Sequence, residues 1–348
     1  MLFKCIIKSL RLKKTLTLFT IKKLFYMLLE RYLKAMRNFL LHFTLVIFLC
    51  PQVFSKEIFE IPNDTLLVGD IDFVKTQDGE DIPGIVERYG TGYHELMKAN
   101  YEKIKWYPES NTKLRIPKKY ILPYKYFNGV VLNISEMRLY YYLQIDDIYS
   151  VNRVLTFPVS VGRYDWTTPI GNTFIKHKVI DPIWYPPKSI IEEHEERGDI
   201  LEKIVPAGPE NPLGKYALNL GIKGYLIHGT NKPKGIGMRV THGCIRLRAT
   251  DIETLFALTK VGTKVKIIDK KIKITHLNKD VFIEVSDYDK TLESIPNDEF
   301  NFQSKNKYLQ DIIEYTKKYN LSIDWSLIKK EVKNSSGIPI LVSTSNSN

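Results

Sequence analysis

The sequence predicts a mainly β protein, with a small βααβ unit ahead of a β-rich body and a mixed, helical extension behind it. Three observations carry that expectation. Between Phe73 and Pro117 two helix-period patterns lie between two short strand-like runs. From Phe127 to Ile268 the apolar residues come in short runs rich in Val, Ile, Phe and Tyr, broken by turn residues. After residue 300 the spacing returns to that of amphipathic helices.

Composition sets the outer limits. The 348 residues are 44% hydrophobic and 26% charged. A mean hydropathy of −0.20 excludes both a wholly disordered chain and a polytopic membrane protein. A formal charge of +12 would suit a nucleic-acid partner if it were spread along the chain. It is concentrated instead. Residues 1–55 hold ten Lys or Arg against the single acid Glu30, which leaves +3 over residues 56–348. No nucleic-acid partner is expected.

The first element is a leader, residues 1–55. Phe39 to Leu49 is an eleven-residue, mostly apolar run after Lys34 and Arg37, too short for an ordinary membrane span of about 20 residues. With Val53-Phe-Ser55 before Lys56 it reads as an export signal, with Met36 as the expected true start. Leu49 before Cys50 is too bulky for a usual lipoprotein site. Cys5 and Cys50 fall in the leader, so Cys244 is alone in the mature chain. A lone thiol in an oxidising compartment needs a reason, and a nucleophile is the leading one.

Residues 56–72 read as an extended linker. In the unit that follows, residues 73–120, Ile82, Ile85, Val86 and Tyr89 fall at helical spacing and Gly90 stops that helix. Leu96 and Ala99 continue a second helix, and Leu114 to Pro117 closes the unit as a strand. The body spans residues 124–269. Val131 to Tyr142 breaks at Ser135-Glu136 as a hairpin would, and 156–161 and 173–179 are further strands. The proline-rich stretch from Pro182 to Pro212, with its acidic run Glu192 to Glu196, reads as a long loop over a functional site. Thr250 to Glu253 has capping-box spacing for a helix, and Lys264 to Ile268 closes the body as a strand. The extension, 270–348, offers a strand at 281–285, helices around Leu309 to Thr316 and Trp325 to Val332, and a disordered Ser/Asn-rich end.

Chemistry concentrates in Tyr225-Leu-Ile-His-Gly-Thr230 and Thr241-His-Gly-Cys-Ile-Arg-Leu247. A thiol is a good nucleophile only as thiolate, and a nearby histidine can take its proton and later return it. His228 ends an apolar strand, with Gly229 freeing the backbone. His242 is two residues from Cys244, where an extended chain puts both side chains on one face. Gly243 permits a tight turn and offers backbone N–H groups for an oxyanion hole. Three readings stay open on these residues: thiol acyl transfer, a metal site from His228, His242 and Cys244 without an evident fourth ligand, and a buried structural cysteine.

The paired motifs resemble those of the YkuD-type L,D-transpeptidases, in the periplasmic Gram-negative branch of that family. The resemblance runs upstream through Val205 to Ala217 and Thr168-Pro-Ile-Gly171. Gly79 to Ile82, Arg88-Tyr-Gly90, Leu96 to Asn100 and Leu114 to Pro117 resemble a LysM module, a βααβ unit that holds peptidoglycan. The resemblance implies a β-sandwich catalytic domain, a periplasmic enzyme and no metal or organic cofactor. It implies that Cys244 attacks the bond between diaminopimelate and the terminal D-Ala of a stem tetrapeptide. His228 would be the base, oriented by the Gly229 carbonyl, with the N–H groups of Cys244 and Gly243 holding the oxyanion and His242 shaping that site. The thioester would pass to another diaminopimelate as a 3→3 cross-link, to a lysine of an outer-membrane lipoprotein, or to water. Arg246 would pair with a substrate carboxylate, Asn211, Tyr216 and Thr230 would form the pocket wall, and Thr241 stands where serine is common. A dead scaffold that only binds cell wall is the contrasting expectation, and the intact Cys244, His228 and Arg246 speak against it.

Overall fold

A computed structural model describes residues 58–101, 104–143, 152–287 and 307–344, together with the isolated helical positions Arg31, Lys34 and Met36. The chain divides into two compact units, Met1–Lys56 and Glu57–Asn348. The expected apolar core of the export segment, its cleavage site and the Ser/Asn-rich residues 345–348 lie outside the described residues. No helix among the described residues is long and apolar enough to cross a membrane.

The stretch expected as a linker is extended but paired. It forms β1 (Ile58–Glu60) and β2 (Leu67–Val68), and Ile61 and Val68 are buried. Next come β3 (Ile71–Lys75), α1 (Ile82–Tyr89), α2 (Tyr93–Ala99) and β4 (Lys113–Pro117). β3 and β4 pair antiparallel from Ile71↔Pro117 to Lys75↔Lys113. Asp81 caps α1 by accepting from the Gly84 N–H at 2.8 Å. Gly90 ends it at φ 67, a left-handed conformation that suits glycine. Ile82, Ile85, Val86, Leu96, Leu114 and Ile116 give this unit a core of its own. β5 (Tyr120–Ile121) then returns to pair with β2.

The body contributes β6 (Gly129–Asn133), β7 (Arg138–Leu143), β8 (Arg153–Pro158), β9 (Val161–Gly162) and β10 (Gly171–Ile180). They are followed by α3 (Lys188–Glu196), β11 (Tyr216–Leu220), β12 (Leu226–His228), β13 (Arg239–Thr241), β14 (Ile245–Arg246), α4 (Ala249–Leu258) and β15 (Lys264–Ile268). Nine strands join in the order β1-β8-β7-β6-β15-β10-β11-β12-β14. The ten-residue β10 is the corner. Its first half pairs with β15, its second half with β11, and the register shifts between Ile175 and His177. Two layers result, a β-sandwich. Val130, Leu132 and Phe157 from one layer meet Leu218, Ile227 and Ile245 from the other in a single apolar core, closed by Ile252 and Leu255 of α4.

Two local expectations are corrected. The stretch from Pro182 to Pro212 is not all loop, because α3 lies within it. The capping box at Thr250 is not used: α4 begins two residues earlier, with Arg248 at its N-cap and no side-chain cap. The Arg248 guanidinium donates to the carbonyls of Val86 and Thr91 in the βααβ unit, which fixes the chain just ahead of the helix.

In the extension, the expected strand is β17 (Asp280–Val285), preceded by β16 (Ile272–Leu277). The helices are α5 (Lys307–Tyr319) and α6 (Trp325–Asn334), and β18 (Ile340–Leu341) completes a sheet ordered β16-β17-β18. Val281, Ile283, Leu309, Ile312, Ile328 and Val332 form its core. Lys273 of β16 reaches Glu136 of the β6–β7 turn and Glu284 of β17, each at 2.9 Å, in a site that is almost wholly buried.

Candidate active site

The sheet's two-residue alternation assembles the site. Ala217 pairs with His228 and Asn219 with Leu226; Ile227 pairs with Ile245 and His228 with Arg246. Leu218, Ile227 and Ile245 therefore point into the core. Ala217, Asn219, Leu226, His228 and Arg246 share the opposite face. Cys244, one residue ahead of Ile245, falls on that face too. All six line a cavity of about 660 Å³, which α3 helps to wall through Ile190 and His194.

His228 is 4% exposed. Its Nδ1 donates to the Gly229 carbonyl at 2.7 Å, which leaves the ring's lone pair on Nε2. Burial first, and then the Arg246 charge, pull its pKa down to about 3, against backbone hydrogen bonds to Gly229 and Leu213. The imidazole is neutral at working pH. Cys244 is half-buried, and its Sγ lies 3.7 Å from the Gly224 carbonyl. Burial pushes the thiol above its ordinary value, while a backbone hydrogen bond at Leu226 and the Arg246 charge act the other way. Arg246 is half-buried, and its buried Nε has no hydrogen-bond partner. None of the ion pairs among the described residues involves it.

The chain before the thiol takes the tight turn that Gly243 permits, and not the extended course that would put His242 and Cys244 on one face. Gly243 has φ +101, and a Cβ there would meet the Tyr225 ring at 2.8 Å. The Thr241 hydroxyl accepts from the Gly243 N–H at 3.2 Å and donates to the Cys244 carbonyl at 2.6 Å. Thr168 donates to the Gly243 carbonyl at 2.8 Å. The Gly243 N–H expected in the oxyanion hole is thus already bonded to Thr241, and Thr241 braces the turn.

His242 turns toward α3. Its Nε2 lies 2.5 Å from Glu193 Oε2, and its ring meets Trp166 edge-on at 5.0 Å. Arg163 grips Glu193 through two bonds of 2.8 and 3.0 Å, and Arg197 joins from the next turn of the helix. Hydrogen bonds from Arg163 and His242 hold the Glu193 carboxyl down at about 2. Sequence reasoning missed Glu193. Its signal was present in the Glu193/Arg197 spacing within the acidic run, which fits i,i+4 pairing on a helix.

Three expected wall residues lie elsewhere. Asn211 is 1% exposed and acts as a clamp. Its Nδ2 donates to the carbonyls of Pro182, Pro206 and Val205, and its Oδ1 accepts from Leu213. Thr230 is buried and its hydroxyl accepts from the Lys232 N–H at 2.9 Å. Tyr216 alternates onto the far face, with its ring 4.8 Å from Phe256 and its hydroxyl 3.3 Å from Glu253 of α4. Among the described residues no group of three His, Cys, Asp or Glu side chains is arranged to hold a metal.

The family model described as the L,D-transpeptidase catalytic domain, YkuD, matches residues 127–267. "Probable L,D-transpeptidase YbiS" of Escherichia coli (strain K12) is 34% identical over 298 residues, covering 82% of this chain and 92% of that protein. "Probable L,D-transpeptidase ErfK/SrfK" of the same strain is 40% identical over 217 residues, covering 62% of this chain and 68% of that protein. "Probable L,D-transpeptidase YcfS", also of that strain, is 39% identical over 219 residues, covering 62% and 67%. Identity at that level over nearly the whole of a relative, with the catalytic-domain match over the sandwich, establishes descent: the chain belongs to the L,D-transpeptidase family with a YkuD catalytic domain.

Proposed function

We propose that the chain is an exported, periplasmic enzyme of peptidoglycan assembly, which cleaves the diaminopimelate–D-Ala bond of stem tetrapeptides through a thioester on Cys244. The observation that carries this reading is the shared face. A thiol, a neutral imidazole with its Nε2 lone pair available and an unpaired guanidinium open into one cavity.

Both reacting groups rest uncharged, so the proton moves as the bond forms. Cys244 Sγ adds to the carbonyl while its proton passes to His228 Nε2, and the imidazolium is held by the Gly229 carbonyl at Nδ1. The Cys244 N–H serves the oxyanion, now that Gly243 is engaged with Thr241. Collapse returns the proton to the departing D-Ala amine and leaves the thioester. An incoming amine, from diaminopimelate or a lipoprotein lysine, then loses its proton to His228 and releases the thiol. Arg246 pairs with a substrate carboxylate. That pairing offsets one of the two causes that depress His228, so binding strengthens the base. The βααβ unit, residues 73–120, is read as a LysM-like module that holds glycan.

The test is mass spectrometry of tetrapeptide muropeptides incubated with the purified enzyme. D-Ala release with cross-linked product is expected from the native chain and none from Cys244→Ala, with the fold retained by circular dichroism. Release by the alanine variant would remove the mechanism; release without amine transfer would make water the acceptor.

A further inference from the structure

The turn that carries Cys244 is held through its backbone and through one side chain. Thr241 and Thr168 bond the Gly243 N–H and the carbonyls of Gly243 and Cys244. The side chain is His242, 24% exposed, and α3 meets it through Glu193. The two carboxylate oxygens divide their partners. Oε1 accepts from Arg163 Nη1 at 2.8 Å and from Arg197. Oε2 accepts from Arg163 Nη2 at 3.0 Å and from His242 Nε2 at 2.5 Å. An ionised carboxylate only accepts, so this bond fixes a His242 proton at Nε2. Arg163 Nη2 lies 3.5 Å from the same nitrogen. Two donors therefore stand side by side, and the oxygen they share is what reconciles them. Arg163 is itself tied to the turn, because its backbone N–H donates to the Thr241 carbonyl at 3.0 Å.

We propose that Glu193 is a positioning residue for acyl transfer: through His242 and Arg163 it fixes the turn from Thr241 to Cys244, so that the Cys244 N–H stays aimed at the oxyanion. This rests on the acyl transfer proposed above for Cys244. His242 and Cys244 line the cavity and Glu193 stands behind them, so its effect on the reaction passes through the turn. An N–H that serves an oxyanion acts in the transition state, where misalignment lowers kcat more than it weakens substrate binding. Loosening of the wall would act the other way, through KM, because Ile190 and His194 of α3 line the cavity. Glutamine separates the two. Its amide replaces one accepting oxygen by a donor, so Arg163 and His242 compete for the oxygen that remains.

The experiment measures D-Ala release from a soluble tetrapeptide stem by the full chain, with the fold of each variant checked by circular dichroism. Glu193→Gln is expected to lower kcat by about tenfold, with KM within about threefold of the native value. In a His242→Phe background the same substitution should change kcat by less than about twofold, since the group it positions is gone. Arg163→Met added to Glu193→Gln should recover roughly threefold in kcat, because the amide oxygen is then free for His242. A purely structural role in α3 predicts a further loss instead, as one more link to the helix is cut. A change confined to KM would overturn the inference. So would an equal effect of Glu193→Gln with and without His242, or a further loss with Arg163→Met. No release by the native chain would overturn the reading of the site itself, an outcome distinct from release that ignores Glu193.

Discussion

Cys244 and His228 both rest uncharged, and that state has two measurable consequences. Burial holds the thiol above its ordinary range and the imidazole down at about 3. Alkylation of Cys244 by iodoacetamide should therefore climb through the alkaline side with no step near pH 6.5, followed by intact mass of the sulfur adduct. A step there that disappears in His228→Gln would show a preformed thiolate–imidazolium pair. The second consequence concerns stability. The folded pKa of His228 lies below its unfolded value of about 6.5, so the unfolded chain takes up the proton first as pH falls. Stability is full above pH 6.5 and is lost as pH drops toward 3. Between pH 6 and 4.5 His228→Gln should flatten the fall by up to about 1.4 kcal/mol per pH unit, read from urea midpoints. His94, also lowered by burial, keeps its part of the slope in the variant. Equal slopes would mean that His228 is solvated. Cys244 and His228 were legible as the one thiol outside the leader and a histidine ending an apolar run, and Arg246 through the resemblance of the motif that holds it. Spacing says nothing of which backbone groups are already bonded, so the engagement of Gly243 by Thr241 and the packing of Tyr216 against α4 were not.

The helix α3 joins the outer wall to the turn that carries His242 and Cys244. Glu193 binds Arg163, Arg197 and His242, and Ile190 is the buried residue of its inner side. These are partly exposed charges, and solvent screening keeps each pair modest. Three on one carboxylate still bias a nine-residue helix that buries little else. Glu193→Gln should speed hydrogen exchange across residues 188–196 by roughly three- to tenfold, a small opening energy for a low-stability element. Exchange in β11 and β12 should stay as it was. An unchanged α3 would locate its stability in packing alone. The helix was hidden in the sequence by prolines on both sides of it, Pro186, Pro187 and Pro206, which announce loop. By contrast α1 and α2 were readable, since Ile82, Ile85, Val86 and Leu96 keep helical spacing and Gly90 marks a stop.

At the scale of the whole molecule, buried charge ties the extension to the body. Lys273 is 1% exposed and faces Glu136 at 5% and Glu284 at 2% in side-chain terms. Glu284 also accepts from the Ile121 N–H at 2.7 Å, which brings β5 into the same junction. None of this was legible, nor were β2, β16 and β18. Two-residue strands take their meaning from partners more than fifty residues away, β2 from β5 and β18 from β17, and Lys273 from Glu136 on the far side of the body. The junction predicts how the parts unfold. Removing one member of a buried ionic cluster leaves the others uncompensated, a cost of roughly 3–5 kcal/mol. Lys273→Met leaves two carboxylates facing each other in a buried site, where burial and Glu136 already hold Glu284 above the ordinary carboxylate range. Its unfolding free energy, read from the urea midpoint, should fall by that amount, with exchange in β16 and β17 rising ahead of exchange in β6 and β7. Glu136→Gln and Glu284→Gln added to Lys273→Met should recover most of the loss, because the uncompensated charge is then gone. A midpoint unmoved by Lys273→Met would place water in the junction and free the extension to open independently of the catalytic sheet.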